Sequence, residues 1–276
     1  MQNIGNAIIQ GIVEGLTEFL PVSSTGHLIL TGKLLGFTGE QADTFEIVIQ
    51  LGAILAVAFI YWRRILSLFG LVGIESSSNS QPHSASRLNL IHVILACLPA
   101  MILGLLLHSF IKSYLFSPYT VLVGLVLGGV FMIFGQKRQP AVQAEGMDQL
   151  TYKQAIWIGL YQCLALWPGF SRSGATIVGG LITGVSYRAA TNFSFLIAIP
   201  MMFAASGYEL LKSYSTLTSS DIGFFAVGFI VAFAVAFLAV LTFLKLLERF
   251  KLAPFAYYRF GLAIVFFIYL IIKGGA

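Results

Sequence analysis

The chain has 276 residues, of which 58% are hydrophobic and only 10% charged, with a mean hydropathy of +0.89. A soluble domain carries roughly a quarter charged residues, so most of this chain is solvated by lipid rather than water. Its net charge of +5 does not point to nucleic acid, because Lys and Arg stand singly or in pairs at the ends of apolar runs and form no basic stripe. Cys97 and Cys163 lie in apolar context without metal-ligand spacing, which predicts buried thiols rather than a disulfide framework or a zinc site.

From the N-terminus, residues 4–20 are apolar but short and carry Glu14 and Glu18, and no basic leader or cleavage site accompanies them, so a signal peptide is not expected. They break at Leu20-Pro21-Val22-Ser23-Ser24-Thr25-Gly26, and an apolar stretch then runs to Gly36. Pro, Gly and Ser at this density stop a helix and free backbone polar groups, which survive in lipid only when buried in protein or facing a wet cavity. The reading is a re-entrant helix–loop–helix over 4–36. Spans are predicted at 45–62, 88–108 and 118–135, separated by a polar loop at Glu75–Ser86 that carries no functional signal. A second broken segment follows over 155–184, interrupted at Trp167-Pro168-Gly169-Phe170-Ser171-Arg172-Ser173-Gly174. Spans at 188–211, 221–247 and 255–273 complete the chain; Pro99 and Pro200 predict kinks packed against neighbours.

The two broken segments are related. Gly159 lies 148 residues after Gly11, and the same shift pairs Ser23 with Ser171, Gly26 with Gly174, Gly32 with Gly180, Gly36 with Gly184 and Phe45 with Phe193, while setting Glu14 opposite Gln162. These matches argue for an internal duplication. Three spans, an odd number, separate the hairpins, so the second copy lies upside down. The expected fold is therefore a single all-α polytopic membrane domain, 1–276, of six transmembrane helices plus two re-entrant hairpins. It forms an inverted-topology repeat, with a first copy at 1–135, a second at 153–276 and the site at the midplane between them. Assigning loops 63–87, 136–154 and 248–254 to the cytoplasm places ten basic residues there or at the adjoining span ends (Arg188, Lys245) and leaves only Lys33, Lys112, Lys212 and Lys273 outside, with Arg172 and Arg259 held apart as membrane-embedded or interfacial. Both termini are then expected on the outer face.

Glu14 and Glu18 are four apart and share a helix face, and charge buried in a membrane is costly and usually functional. A surface helix with its glutamates in water is the bland alternative. After the break, Ser23, Ser24, Thr25 and His27 open a helix whose free N–H groups suit anions, although serine and threonine there also serve as plain caps. The second break supplies a cation, Arg172, between Ser171 and Ser173, with Thr176 one turn on. Its planar fork matches phosphate oxygens, and an ion pair to Glu14 or Glu18 is compatible with that role. Together these groups predict a phosphate or diphosphate site with acid–base residues attached. Glu46 and Gln50 are candidate cavity liners. Arg259, beside Tyr257 and Tyr258, reads as an interfacial anchor, and His92, His108 and Glu209 as interfacial residues near span ends.

The segments Glu14-Gly-Leu-Thr-Glu18-Phe-Leu-Pro-Val-Ser-Ser24-Thr-Gly-His27 and Pro168-Gly-Phe-Ser171-Arg172-Ser-Gly-Ala-Thr176 closely resemble the signatures of the bacterial undecaprenyl-diphosphatase family, associated with bacitracin resistance. The resemblance extends over nearly the whole chain, including Thr44-Phe45-Glu46 and Tyr258-Arg259-Phe260. It implies hydrolysis of undecaprenyl diphosphate to the monophosphate and inorganic phosphate, which recycles the lipid carrier of peptidoglycan synthesis. It also implies an inner-membrane homodimer with its site facing the periplasm, assisted by a divalent cation. On that basis Arg172, with Ser23, Thr25, Ser171, Ser173 and Thr176, is expected to bind the diphosphate. Ser24 is the candidate nucleophile, with water activated by a metal as its rival, and Glu18 or His27 is the candidate base. Glu14 and Glu18 are alternatively expected to hold Mg²⁺ or Ca²⁺. The competing class is a secondary transporter or lipid-phosphate flippase, for which broken helices in inverted repeats are also a common plan.

Overall fold

The computed structural model describes residues 3–73, 88–213 and 222–273, and the predicted loop at Glu75–Ser86 lies outside them. The described residues form twelve α-helices and no strand: α1 (Ile4–Thr17), α2 (Ser24–Leu35), α3 (Glu40–Ile60), α4 (Trp62–Leu68), α5 (Leu90–Leu106), α6 (His108–Phe110), α7 (Pro118–Lys137), α8 (Tyr152–Gln162), α9 (Arg172–Ile182), α10 (Tyr187–Ser213), α11 (Ile222–Phe250) and α12 (Ala253–Ile272). Five of them, α3, α7, α10, α11 and α12, are long and apolar enough to cross a membrane. A sixth candidate is α5 with α6 and the π-turn Ile111–Leu115, bent by 67° at Leu107. The span predicted at 88–108 is therefore a bent one, and α10 and α11 run longer than predicted. Pro99 and Pro200 sit inside α5 and α10, each of which continues through them as one helix. Lipid exposure is plain in the side chains: Leu106, Ile230, Leu238, Ile264 and Ile271 all face outward.

Polar contacts gather the chain ends of these helices into two groups. At one end Arg64 pairs with Asp148 at 2.6 Å, the same carboxylate accepts from the Leu88 N–H, and Gln136 accepts from the N–H groups of Leu252 and Ala253. Loops 63–87, 136–154 and 248–254, grouped above by charge alone, thus meet through their described residues. At the other end Glu209 of α10 takes His108 at 2.6 Å and Lys112 at 3.6 Å, and Phe37, Phe45 and Phe224 stack together.

The helices α1, α2, α8 and α9 fill the middle. Along α11, α1 lies so close that a Cβ at Gly11 would meet the Gly228 carbonyl and one at Gly15 the Ala232 carbonyl. That register brings the end of α1 about halfway down α11. From the opposite end α8 runs along α5: Thr151 and Tyr152 start near Asn89 and His92, and Gly159 reaches the Ala96 backbone. Both breaks therefore lie at mid-height, inside the bundle.

Candidate active site

The first break is a short turn between α1 and α2. Thr17 donates back to the Val13 carbonyl at 2.6 Å, the helix runs out at Glu18, and Pro21 prevents its continuation. Ser23 then adopts φ 72° and caps α2, its hydroxyl accepting from the Gly26 N–H. The second break repeats this: Ser171 adopts φ 76° and its hydroxyl accepts from the Gly174 N–H. Left-handed backbone at a residue with a Cβ is strained by roughly 1–3 kcal/mol and persists only where the surroundings impose it. Among the described residues the only other non-glycine with positive φ is Lys251. The breaks touch directly, Ser173 Oγ donating to the Leu20 carbonyl at 3.0 Å.

Between them lies a cavity of about 200 Å³. The first break contributes Glu18, Ser23, Ser24 and Thr25, and the second Gly169, Ser171 and Arg172. Gln50 and Gln162 add polar walls; Ala100, Leu166, Trp167, Met201, Met202 and Ala205 add apolar ones. Ser24 Oγ donates to Glu18 Oε2 through a short contact, and Glu18 Oε1 lies 3.8 Å from Arg172 Nη2. Arg172 also donates to the Ser194 carbonyl at 3.1 Å and lies over the Phe19 ring at 5.6 Å. Its Nε and Nη2 are buried without a hydrogen-bond acceptor. A carboxylate, a hydroxyl and a guanidinium with unused donors thus share one low-dielectric pocket, where their interactions are stronger than in water.

Other candidates stand outside the cavity lining. Glu14 is fully buried behind it, neither carboxyl oxygen meeting a hydrogen-bond donor. Its counterpart under the 148-residue shift, Gln162, does line the cavity and donates to the Ala96 carbonyl. His27 is held at both ring nitrogens. Nδ1 lies 2.7 Å from the Ser23 carbonyl, which can only accept, so Nδ1 carries the hydrogen and Nε2 accepts from the Tyr258 hydroxyl at 2.8 Å. Thr176 donates to the Arg172 carbonyl and pairs with Ser194 Oγ at 2.6 Å. Gln50 accepts from Ser206 at 2.8 Å inside the lining, whereas Glu46 is absent from it.

Two expectations are corrected. Arg259 is not an interfacial anchor but fully buried, because backbone carbonyls from α7 and the second break converge on it. His92 is likewise fully buried, drawn in by the Leu150 carbonyl and the Asn89 side chain, while His108 and Glu209 stay half-exposed as a pair. Cys97 is buried as expected and Cys163 only partly so. Among the described residues no group of three His, Cys, Asp or Glu side chains is placed to hold a metal. Sequence reasoning did not place Ser194, Gln162 or Tyr258 at the site; for the first two, the shift that sets Ser194 opposite Glu46 and Gln162 opposite Glu14 was the available signal.

A chain with an apolar exterior, five to six membrane-length helices and a polar cavity at mid-height is a polytopic membrane protein. Residues 7–265 match the family model described as Bacitracin resistance protein BacA, and the chain belongs to that family. It is 55% identical to Undecaprenyl-diphosphatase 1 of Bacillus thuringiensis subsp. konkukian (strain 97-27) over 274 residues, and 55% identical to Undecaprenyl-diphosphatase 1 of Bacillus anthracis over 272 residues. Each alignment covers 99% of this chain and 100% of the relative.

Proposed function

We propose that this chain hydrolyses undecaprenyl diphosphate to undecaprenyl phosphate and inorganic phosphate, recycling the lipid carrier of peptidoglycan synthesis, as the names of its relatives indicate for them. The observation that carries the chemistry is the Ser24–Glu18 hydrogen bond beside Arg172 in one cavity. Arg172 presents its unused donors to the diphosphate and offsets charge on the transferring phosphoryl group. Glu18 accepts the Ser24 proton as Oγ bonds to the terminal phosphorus. The bond from that phosphorus to the bridging oxygen breaks, and undecaprenyl phosphate leaves. Glu18 gives that proton to the departing phosphate; water then attacks the phosphoserine and hands a proton to Glu18, which passes it to Ser24 Oγ as the bond from Oγ to phosphorus breaks and inorganic phosphate leaves. Ser23, Thr25, Ser171 and the free N–H groups at the starts of α2 and α9 surround the phosphates. Thr176 and Ser173 support this arrangement from behind, through Arg172 and Leu20, and His27 braces the first break.

A divalent cation fits the first break. Glu14 is an orphaned buried carboxylate, a state that a cation or proton must satisfy, and Glu14 with Glu18 offers the hard oxygen donors that Mg²⁺ or Ca²⁺ prefer. When bound, such an ion supplies charge neutralisation for the diphosphate.

The helices support six transmembrane spans and two re-entrant hairpins, α1–α2 and α8–α9, as an inverted repeat with copies at 1–135 and 153–276. The grounds are the opposite entry of α1 and α8, the equal turns at Ser23 and Ser171, and the 148-residue shift. With the Arg64–Asp148 end in the cytoplasm, both termini and the first hairpin belong to the periplasmic face of the bacterial inner membrane. Substrate, surrounding lipid and a second copy of the chain are its partners. Impermeant maleimide should label Gln41→Cys but not Gln143→Cys in intact cells after Cys97 and Cys163 are replaced. The reverse pattern overturns the orientation.

The test of function is phosphate release from undecaprenyl diphosphate by the purified protein in micelles, with and without chelator. A micelle has no two sides, so release there is hydrolysis, and its absence with intact protein sinks this reading in favour of transport.

A further inference from the structure

The buried arginine on α12 is unlike any other cation in the described structure. Arg259 has no carboxylate partner there, yet all five of its N–H donors are used. Nε donates to the Leu125 carbonyl at 3.2 Å; Nη1 to the Phe170 carbonyl at 2.8 Å and to Met132 Sδ at 3.5 Å; Nη2 to the carbonyls of Gly124 at 3.1 Å and Gly169 at 2.7 Å. Burying a guanidinium without an anion is expensive, and a hydrophobic side chain of similar volume fills space at less cost. What only arginine supplies is a rigid fork that holds several carbonyls at fixed directions. Two of those carbonyls belong to the residues immediately before Ser171 and Arg172.

We infer that Arg259 is a positioning residue for the second break: by holding the Gly169 and Phe170 carbonyls it sets the peptide planes that aim Arg172 and the N–H groups at the start of α9. The Phe170–Ser171 peptide is planar and trans, so fixing its carbonyl on one side fixes the Ser171 N–H on the other. Ser171 at φ 76° would relax to negative φ if released, so an external restraint is needed to keep it there. A second observation supports this. Gly128 of α7 lies where a Cβ would strike both the Arg259 guanidinium and the Phe170 carbonyl, so the helix is bare where the clamp and its cargo meet. The neighbouring residue, Tyr258, reaches the first break through His27, so α12 touches both halves of the site.

The inference rests on the phosphatase reading for its kinetic consequence, and on anion binding independently. Arg259→Lys keeps the charge and loses the fork; Gly128→Ala keeps Arg259 and displaces it. Each is purified in detergent and checked for a monodisperse profile and thermal midpoint. Two quantities are then read: kcat and KM for phosphate release, and the rise in thermal midpoint given by inorganic diphosphate. At least one variant is expected to fold with a midpoint near wild type, a kcat lowered about tenfold or more, as for a lost transition-state donor, and a weakened response to diphosphate. A folded variant with wild-type kcat and response overturns the proposal. So does failure of both variants to fold, because Arg259 is then a determinant of the fold. If wild type responds to diphosphate but releases no phosphate, the phosphatase reading falls and Arg259 is judged on the midpoint alone. A wild type that does neither overturns both.

Discussion

At Ser23 and at Ser171 the chain makes the same turn, with φ of 72° and 76°, the same capping hydroxyl and the same glycine three residues on. The next residue is a serine in the first break and an arginine in the second. Around that difference each loop has acquired its own surroundings. Behind the first lie Glu14 and Glu18, with His27 and Tyr258 beside it; behind the second, at the positions matching the glutamates, lie Gln162 and Leu166, and Ser194 stands where the first copy has Glu46. In the proposed mechanism one strained turn thus serves twice, as a proton-handling loop and as an anion-handling loop. The hydrogen bond from Ser173 to the Leu20 carbonyl keeps the two in register. A backbone that places a side chain at a helix start, inside a bundle, serves either purpose because only the side chain is replaced.

Removing the first loop's contribution should give the largest effect. Ser24→Ala is expected to lower kcat by about a hundredfold or more, in the range of nucleophilic and general-base losses. KM should change little, since the clamp remains. Phosphate release in micelles measures this, and near-normal turnover removes Ser24 as nucleophile and leaves water in that role. Arg172→Lys tests the second loop: it preserves the charge and loses the planar fork, and a loss of at least about tenfold in kcat is expected. Unchanged kinetics place Arg172 outside the reaction and break the division of labour between the loops. Chelation comes next. If Glu14 and Glu18 hold a divalent ion, chelator should lower activity in wild type and Mg²⁺ or Ca²⁺ restore it, whereas Glu14→Gln should lose that dependence; a chelator-indifferent wild type excludes the ion.

Which parts of this site were legible depended on how local their cause was. The breaks announce themselves through Pro21, Pro168 and the glycines and serines around them, because those residues alter the backbone wherever they occur. The spacing of Glu14 and Glu18 and the identity of Arg172 are likewise properties of short stretches. Arg259 was misread because its partners, Leu125 and Gly169, are 134 and 90 residues away. Beside Tyr257 and Tyr258 at one end of an apolar run it has the local signature of an interfacial anchor, and nothing within a turn of it says otherwise. His92 failed for the same reason: the carbonyl that buries it belongs to Leu150. The sharp bend at Leu107 has no proline or glycine at the break itself; beyond it His108 and Lys112 meet Glu209 of α10, about a hundred residues on. Sequence identifies residues that change the chain locally, and misses those whose role is to collect distant carbonyls.

The smallest effect expected is also the closest test of the likeness between the loops. Ser23→Ala and Ser171→Ala each remove a capping hydroxyl from a residue that keeps its positive φ, so each should cost about 1 kcal/mol of stability, the usual loss for a helix cap. Ser23→Gly and Ser171→Gly lose the same hydroxyl and gain a residue at ease in that conformation, so they should lie closer to wild type. In a protein of this size about 1 kcal/mol corresponds to roughly 2–4 °C. Thermal midpoints of the four purified variants should therefore fall into two matched pairs, alanines below glycines, with positions 23 and 171 interchangeable within each pair. If the alanine variants differ by more than the alanine–glycine gap, the two turns are alike in angle but not in what holds them. The second would then draw its restraint from elsewhere, and Arg259 is the neighbour placed to supply it.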